Sequence, residues 1–375
     1  MTPQLPSHLY VNSPARWEQC LQDLQNVDRF AIDLESNGLF AYREQICLIQ
    51  ISTATHDYII DPLSDLDWSL LGALIEDPTI EKVLHASEYD LILMRRQHDW
   101  HLQNMFDTMW AARVLGYTRI GLASMLGELY GLELDKKFQR ADWCHRPLTI
   151  EQLAYAQADT HFLLKLRDDL DAMLHAQGHE AEAQEIFSEQ CHVKMPDVDF
   201  SADSFWSING IHDLNPRQKA LLRELNIFRD GEARRRNRPP FKVFSDKTLV
   251  AVSQRLPRNV NELRGIRGLT DRVIRRYGRR LVQITQRSRR APLPRPPVRS
   301  RPPEAISDRY DKLHQWRKEH ARSRGVASDV VLSRETMWEL ARANPNTLDE
   351  LTTINSLGNW RRTTYGEYIL GILNA

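Results

Sequence analysis

Cysteine is scarce in this sequence: four residues in 375, Cys20, Cys47, Cys144 and Cys191, widely spaced and without a C-x-x-C pair. That spacing argues against a thiolate zinc knuckle and against a disulfide framework, so reduced, packed thiols are expected. No run approaches the ~18 uninterrupted apolar residues of a membrane span, and the opening MTPQLPSHLYVNSP lacks the basic-then-apolar pattern of a secretory signal. A cytoplasmic chain is the expectation. Net charge is missing as well, since 50 Lys+Arg balance 50 Asp+Glu. With 42% hydrophobic and 27% charged residues the composition is neither disordered nor fibrous, and the length points to two or three domains.

The neutral total conceals two halves of opposite sign. Residues 1–200 hold 15 Lys+Arg against 32 Asp+Glu, and the remainder holds 35 against 18. Such asymmetry suits carboxylates gathered for metal binding in one half and attraction of a polyanion by the other; two merely solvated surfaces are the alternative. Within the basic half, Ser288–Pro303 reads SRRAPLPRPPVRSRPP, without apolar periodicity, and favours an extended linker. The segments on either side repeat at a constant offset of 88 positions, as in Ser245/Ser333, Thr248/Thr336, Pro257/Pro345, Leu263/Leu351, Leu269/Leu357 and Tyr277/Tyr365. Each copy reads as a long amphipathic helix, an S-x-x-T-capped helix and further helices, hence a small bundle. The expected organisation is an α/β domain at 1–200, a basic module at 204–290, a Pro/Arg-rich linker at 291–305 and a second module at 306–375. The first copy carries 22 basic and 7 acidic side chains, the second 10 and 9. Arg234, Arg235, Arg236 and Arg238, and Arg272, Arg275, Arg276, Arg279 and Arg280, are therefore candidate phosphate contacts with little sequence readout, the alternative being a solvated helix face. The second copy is expected to pack or to contact protein instead.

In the acidic half, Phe30–Glu35 alternates as a strand, and its period of two places Asp33 and Glu35 on one face. Strands are also expected at 46–51 and 58–60, joined by short turns that suit antiparallel hairpins, and at 82–85, with helices at 70–75, 87–97, 108–116 and 122–130 and one long helix over 149–174. Two carboxylates on one face of a central strand require a cation, protons or an edge open to water. On the long helix, Tyr155 and Asp159 share a face at i, i+4. His85-Ala-Ser-Glu-Tyr-Asp90 lies where a strand end leads into a helix, the usual place for ligands on α/β sheets. Oxygen donors without a Cys/His cluster favour Mg²⁺ or Mn²⁺, and Asp33, Glu35, Asp90 and Asp159 suffice for a pair of ions of the kind that hydrolyses phosphodiesters. Among the neighbours, Asp107 either adds a carboxylate or, as is more usual for an Asp opening a helix, serves as its N-cap; His85 reads as a structural hydrogen-bonded residue rather than a base, and Glu88 and Asp142 as surface groups or groups supporting the ligands. Lys136, Lys137, Gln139 and Arg140 are either a grip on an RNA terminus or an ordinary solvated loop.

D-x-E at 33–35, H-A-x-x-x-D at 85–90 and Y-x-x-x-D at 155–159 resemble the three motifs of the DEDDy 3′–5′ exonucleases, and most of all those of the ribonuclease D type. Leu134–Trp143 and Arg146–Thr149 look like that family's signature between its second and third motifs, and the repeats are similar to tandem HRDC domains. The resemblance covers nearly the whole chain. It implies an RNase H-like mixed-sheet domain followed by two all-α bundles, metal ligation by Asp33, Glu35, Asp90 and Asp159, and a water-orienting role for Tyr155. It further implies release of 5′-monophosphates from the 3′ ends of structured RNA such as tRNA precursors with 3′ trailers. Apart from the resemblance, a monomer without an organic cofactor is expected. Ala154 stands where the sister subtype has a histidine. A DNA exonuclease of the same chemistry, or a non-catalytic nucleic-acid-binding protein, remains open on these residues, because nothing in the carboxylates reads a 2′-hydroxyl.

Overall fold

Residues 5–196, 199–297 and 301–374 are described in the computed structural model, so part of the expected linker, 298–300, lies outside the described residues. The chain groups into two compact units, one of residues 1–36, 46–195 and 301–375 and one of 37–45 and 196–300.

The first unit is built on a mixed sheet of strands β1 (Leu9–Val11), β2 (Arg29–Ser36), β3 (Ile46–Ser52), β4 (Asp57–Ile60), β5 (Glu81–Leu84) and β6 (Met105–Asp107), in the order β1-β4-β3-β2-β5-β6. β2, β3 and β4 are antiparallel neighbours, whereas β1, β5 and β6 join in parallel. The edge strands β1 and β6 have no counterpart in the sequence reading. Each is three residues long, too short for alternation to register. Helices α1 (Pro14–Leu24), α2 (Ser69–Glu76) and α3 (Glu88–His98) bury one sheet face, with Phe30, Ile32, Ile49 and Ile51 in that core. On the other face lie α4 (Thr108–Val114), α5 (Leu122–Tyr130), α6 (Ile150–His161), α7 (Leu163–Gln177) and α8 (Glu180–Gln190), around Ala31, Val83, Phe106 and Leu166. The single helix expected over 149–174 is two, divided at Phe162. The apolar stripe runs on through the division, so periodicity does not mark it.

The expectation of four reduced thiols is corrected. Cys47 on β3 and Cys144 form a disulfide across 97 residues, with Cα atoms 5.0 Å apart, and Cys20 and Cys191 are the free thiols. Spacing along the chain carries no information about such a long-range closure. The segment with Cys144 is also held by Arg146, which donates to both oxygens of Asp61 at 2.7 and 2.8 Å and to the Cys47 carbonyl at 2.7 Å. Trp143, 1% exposed, packs with Cys47, Leu48 and Ile59.

The second unit holds the basic module: α9 (Pro216–Arg235), α10 (Pro240–Val243), α11 (Asp246–Arg255) and α12 (Asp271–Ser288) around Leu221, Leu225, Leu249, Leu263 and Leu281. The later copy repeats it as α13 (Glu304–Arg324), α14 (Ser328–Val331), α15 (Arg334–Ala343) and α16 (Asn359–Leu373). Both S-x-x-T caps form: Ser245 accepts from Thr248 N at 3.2 Å and Ser333 from Thr336 N at 3.0 Å. The later copy packs on the sheet-bearing part of its own unit. Arg361 on α16, 3% exposed, donates to Glu185 and Glu189 of α8 at 3.2 and 2.6 Å, and Arg324 donates to the fully buried Glu182 at 2.6 and 2.7 Å.

Candidate active site

Asp33 and Glu35 point to the α6 side of β2, opposite Gln50 and Leu48 of β3 in the antiparallel register. Asp159 reaches the same place from α6. That helix starts where it does because Thr149 and Gln152 form a capping box, the Thr149 hydroxyl accepting from Gln152 N at 3.2 Å and the Gln152 side chain accepting from Thr149 N at 3.0 Å. The carboxylates of Asp33, Glu35 and Asp159 each offer an oxygen within 4.8 Å of the others. Asp90, on the first turn of α3 and 7% exposed, stands outside that trio but close enough for its charge to act on Glu35. Its helix is aimed by Asp107. This buried carboxylate caps α4 by accepting from Met109 N and Trp110 N, and it also accepts from Ala86 N at 3.1 Å and Ser87 N at 2.8 Å. Asp107 is thus the N-cap expected of it, and in addition it holds Ala86 in the left-handed region at φ 59. His85 is hydrogen-bonded to the Thr108 hydroxyl at 2.9 Å, and burial pushes its pKa down, which favours the neutral ring.

The carboxylates open into a cleft of about 350 Å³ lined by Asp33, Glu35, His85, Tyr155, Asp159 and, on the facing loop, Lys136 and Gln139. Lys137 instead lies over the Phe138 ring. Tyr155 is set between the rings of Phe138 and Trp143, each 5.9 Å away.

Burial dominates the electrostatics. It raises Asp33 to about 7, and burial together with the charges of Asp33, Asp159 and Asp90 raises Glu35 to about 10. Asp90 and Asp159 are pushed well above the usual carboxylate range for the same reasons, burial first and neighbouring carboxylates second. Such a group is satisfied by protons or by cations. The donors are all oxygens, without histidine or cysteine in the cluster, which fits hard divalent ions. The hydroxyl of Tyr155 is held protonated by burial and by the charge of Asp159.

The family model described as 3′-5′ exonuclease matches residues 10–175, and the HRDC domain model matches twice, at 218–285 and 307–373. Residues 10–175 are thus a 3′–5′ exonuclease domain, followed by two HRDC domains. The chain is similar to ribonuclease D of Pseudomonas paraeruginosa, 28% identical over 99% of this chain and 98% of that protein. It is also similar to the exosome complex exonuclease RRP6 of Saccharomyces cerevisiae, 31% identical over 67% of this chain but only 36% of the yeast protein. The crystal structure of Escherichia coli RNase D, described as an exoribonuclease involved in structured RNA processing, superposes with a TM-score of 0.68, covering 98% of this chain and 99% of that one at 26% identity. The mixed-sheet exonuclease domain with its helical HRDC region is therefore the architecture of this chain.

The basic candidates divide in the structure. Arg235 and Arg236 pair with Glu232 at 3.0 and 3.1 Å, and Arg234 pairs with Asp230 at 3.4 Å while lying over the Tyr42 ring. Arg238 is exposed. Arg272, Arg275, Arg276, Arg279 and Arg280 are all exposed along α12, and none has an ion-pair partner among the described residues. The sequence reading passed over Gln50, a lone amide in the apolar strand ICLIQI. That isolation was the signal available for it. For the Arg146–Asp61 pair no local signal exists.

Proposed function

We propose that this exonuclease removes single nucleotides as 5′-monophosphates from the 3′ ends of structured RNA, tRNA precursors with 3′ trailers being the substrate class. The observation that carries the reading is the convergence of Asp33, Glu35 and Asp159 beside Tyr155 in one cleft, from positions spread over more than a hundred residues. Asp33, Glu35, Asp90 and Asp159 are the residues to hold two Mg²⁺ or Mn²⁺ ions. When bound, such ions neutralise charge on the scissile phosphate and acidify water. Tyr155, protonated and fixed between Phe138 and Trp143, orients the attacking water by hydrogen bonding and does not serve as the base. Lys136 and Gln139, on the facing wall of the cleft, bind the terminal nucleotide. Arg238, Arg272, Arg275, Arg276, Arg279 and Arg280, with Arg234, Arg235 and Arg236 contributing less because of their acidic partners, bind the RNA backbone.

In this reading the division of labour follows the modules 1–200, 204–290 and 306–375 with a linker at 291–305, in a cytoplasmic monomer. Among the described residues no helix is long and apolar enough to cross a membrane. The test is to incubate purified protein with a tRNA carrying a 3′ trailer, and with DNA of matching sequence, in Mg²⁺ or Mn²⁺, and to sequence the product ends. Stepwise shortening of the RNA trailer supports the reading. Preferential shortening of DNA transfers the same chemistry to a DNA substrate, and binding without shortening overturns it.

A further inference from the structure

Gln50 sits in the middle of β3 at 0% exposure, and among the described residues neither its Nε2 nor its Oε1 has a hydrogen-bond partner. A buried donor or acceptor left unmet costs about 1–3 kcal/mol, and an apolar side chain on this strand would avoid that cost altogether. The register settles which way the amide faces. Gln50 is paired directly with Asp33, and cross-strand partners share a face of the sheet with Cβ atoms about 4.5–5.5 Å apart. It is the face covered by α6, because Ser52, two residues along β3, is hydrogen-bonded to Thr160 of that helix at 2.8 Å. The residue across on β4 is Ile59, and the Ser52 hydroxyl already donates to Asp57 at 2.7 Å. The polar group opposite Gln50 is the Asp33 carboxylate.

We propose that Gln50 is a positioning residue of the metal centre, its carboxamide donating a hydrogen bond to the Asp33 carboxylate when that carboxylate holds a divalent cation. The inference rests on the reading of Asp33 as a metal ligand. A ligating carboxylate that is free to turn loses orientation and basicity, and a neutral amide donor restrains it without adding a charge that would compete with the cation. A polar amide buried at the register position opposite Asp33 is then kept for the carboxylate it faces.

The test uses the full chain, Mn²⁺ as the probe, and the variants Gln50→Leu and Gln50→Met, which keep the volume of the side chain and remove the orphaned amide. Calorimetric titration with Mn²⁺ is expected to show affinity weaker by about 10- to 100-fold in both. The thermal midpoint of the metal-free variants is expected to equal or exceed that of the parent, which separates positioning from a merely structural role. The lost activity should return in part at high Mn²⁺. Parent-like Mn²⁺ affinity in both variants overturns the proposal alone, as does a lowered metal-free midpoint with unchanged affinity. Absence of Mn²⁺ binding by the parent overturns the metal reading and the proposal with it.

Discussion

Like charges are gathered in two places in this protein under opposite conditions. Asp33, Glu35 and Asp159, each half-buried at the cleft, gather near the buried Asp90, and neighbouring carboxylates raise the proton affinity of Glu35, Asp90 and Asp159. The guanidinium groups of Arg272, Arg275, Arg276, Arg279 and Arg280 stand along an exposed helix face, where water and salt screen their repulsion over about 8–10 Å. The buried set must therefore recruit protons or cations. The exposed set carries its charge at little cost and remains available to a polyanion. Charge of one sign is a binding device in both places, but only the clustered carboxylates depend on protons or cations to offset their repulsion.

The contrast is broken most severely at Asp33. Asp33→Asn is expected to reduce exonuclease turnover by more than about 100-fold, measured as release of nucleotide from a 3′-labelled RNA. The same change should leave the metal-free fold at least as stable near neutral pH, because it deletes one of the repelling charges. A variant with near-normal rates would remove Asp33 from the metal centre.

Next in size is the exposed set. Reversing Arg272, Arg276 and Arg279 to glutamate is expected to weaken binding of single-stranded RNA by roughly 10-fold or more at low salt. The slope of log K against log salt should flatten by about 0.7 for each phosphate that is no longer neutralised. The difference from the parent therefore shrinks as salt rises; filter binding across a salt series checks it. A parallel displacement of the two salt curves would deny these arginines a role in binding phosphate.

The smallest expected effect is in stability against pH. Asp33 and Glu35 have folded-state values raised to about 7 and about 10, above those of an unfolded chain. The stabilisation from their protonated forms is complete below about pH 4 and is lost as pH climbs through about 7 and beyond. Calorimetric scans of the metal-free protein should accordingly show a falling midpoint from pH 5 to pH 9, and the fall should be smaller in Asp33→Asn. Added Mn²⁺ should restore most at the alkaline end, since it replaces the departing protons. A midpoint that rises over this range would contradict the burial of the cluster.

The two HRDC copies show how far local sequence carries. At the offset of 88, the arginines 272, 275, 276, 279 and 280 of α12 correspond to Trp360, Thr363, Thr364, Glu367 and Tyr368 of α16. The shared caps and core positions were legible because they depend on interactions within one turn or one module. That α16 packs against α8 was not, since Arg361 meets Glu185 and Glu189 only after the chain has folded back across more than 170 residues. The pairing of Arg235 and Arg236 with Glu232 was within reach of helical spacing, and the charge count alone concealed it.

Alone, the sequence determined which side chains share a face: Asp33 with Glu35 by the period of a strand, Tyr155 with Asp159 by the turn of a helix, and the two bundles by their repeat. These are short-range consequences of backbone geometry. Tertiary structure decided the rest. It brought Asp159 to Asp33 and Glu35, left Asp90 just outside that trio, closed Cys47 onto Cys144 and buried Gln50 at the register position opposite Asp33. Each of these depends on which distant segments share the interior, and there proximity is set by the packing of the whole domain and not by separation along the chain.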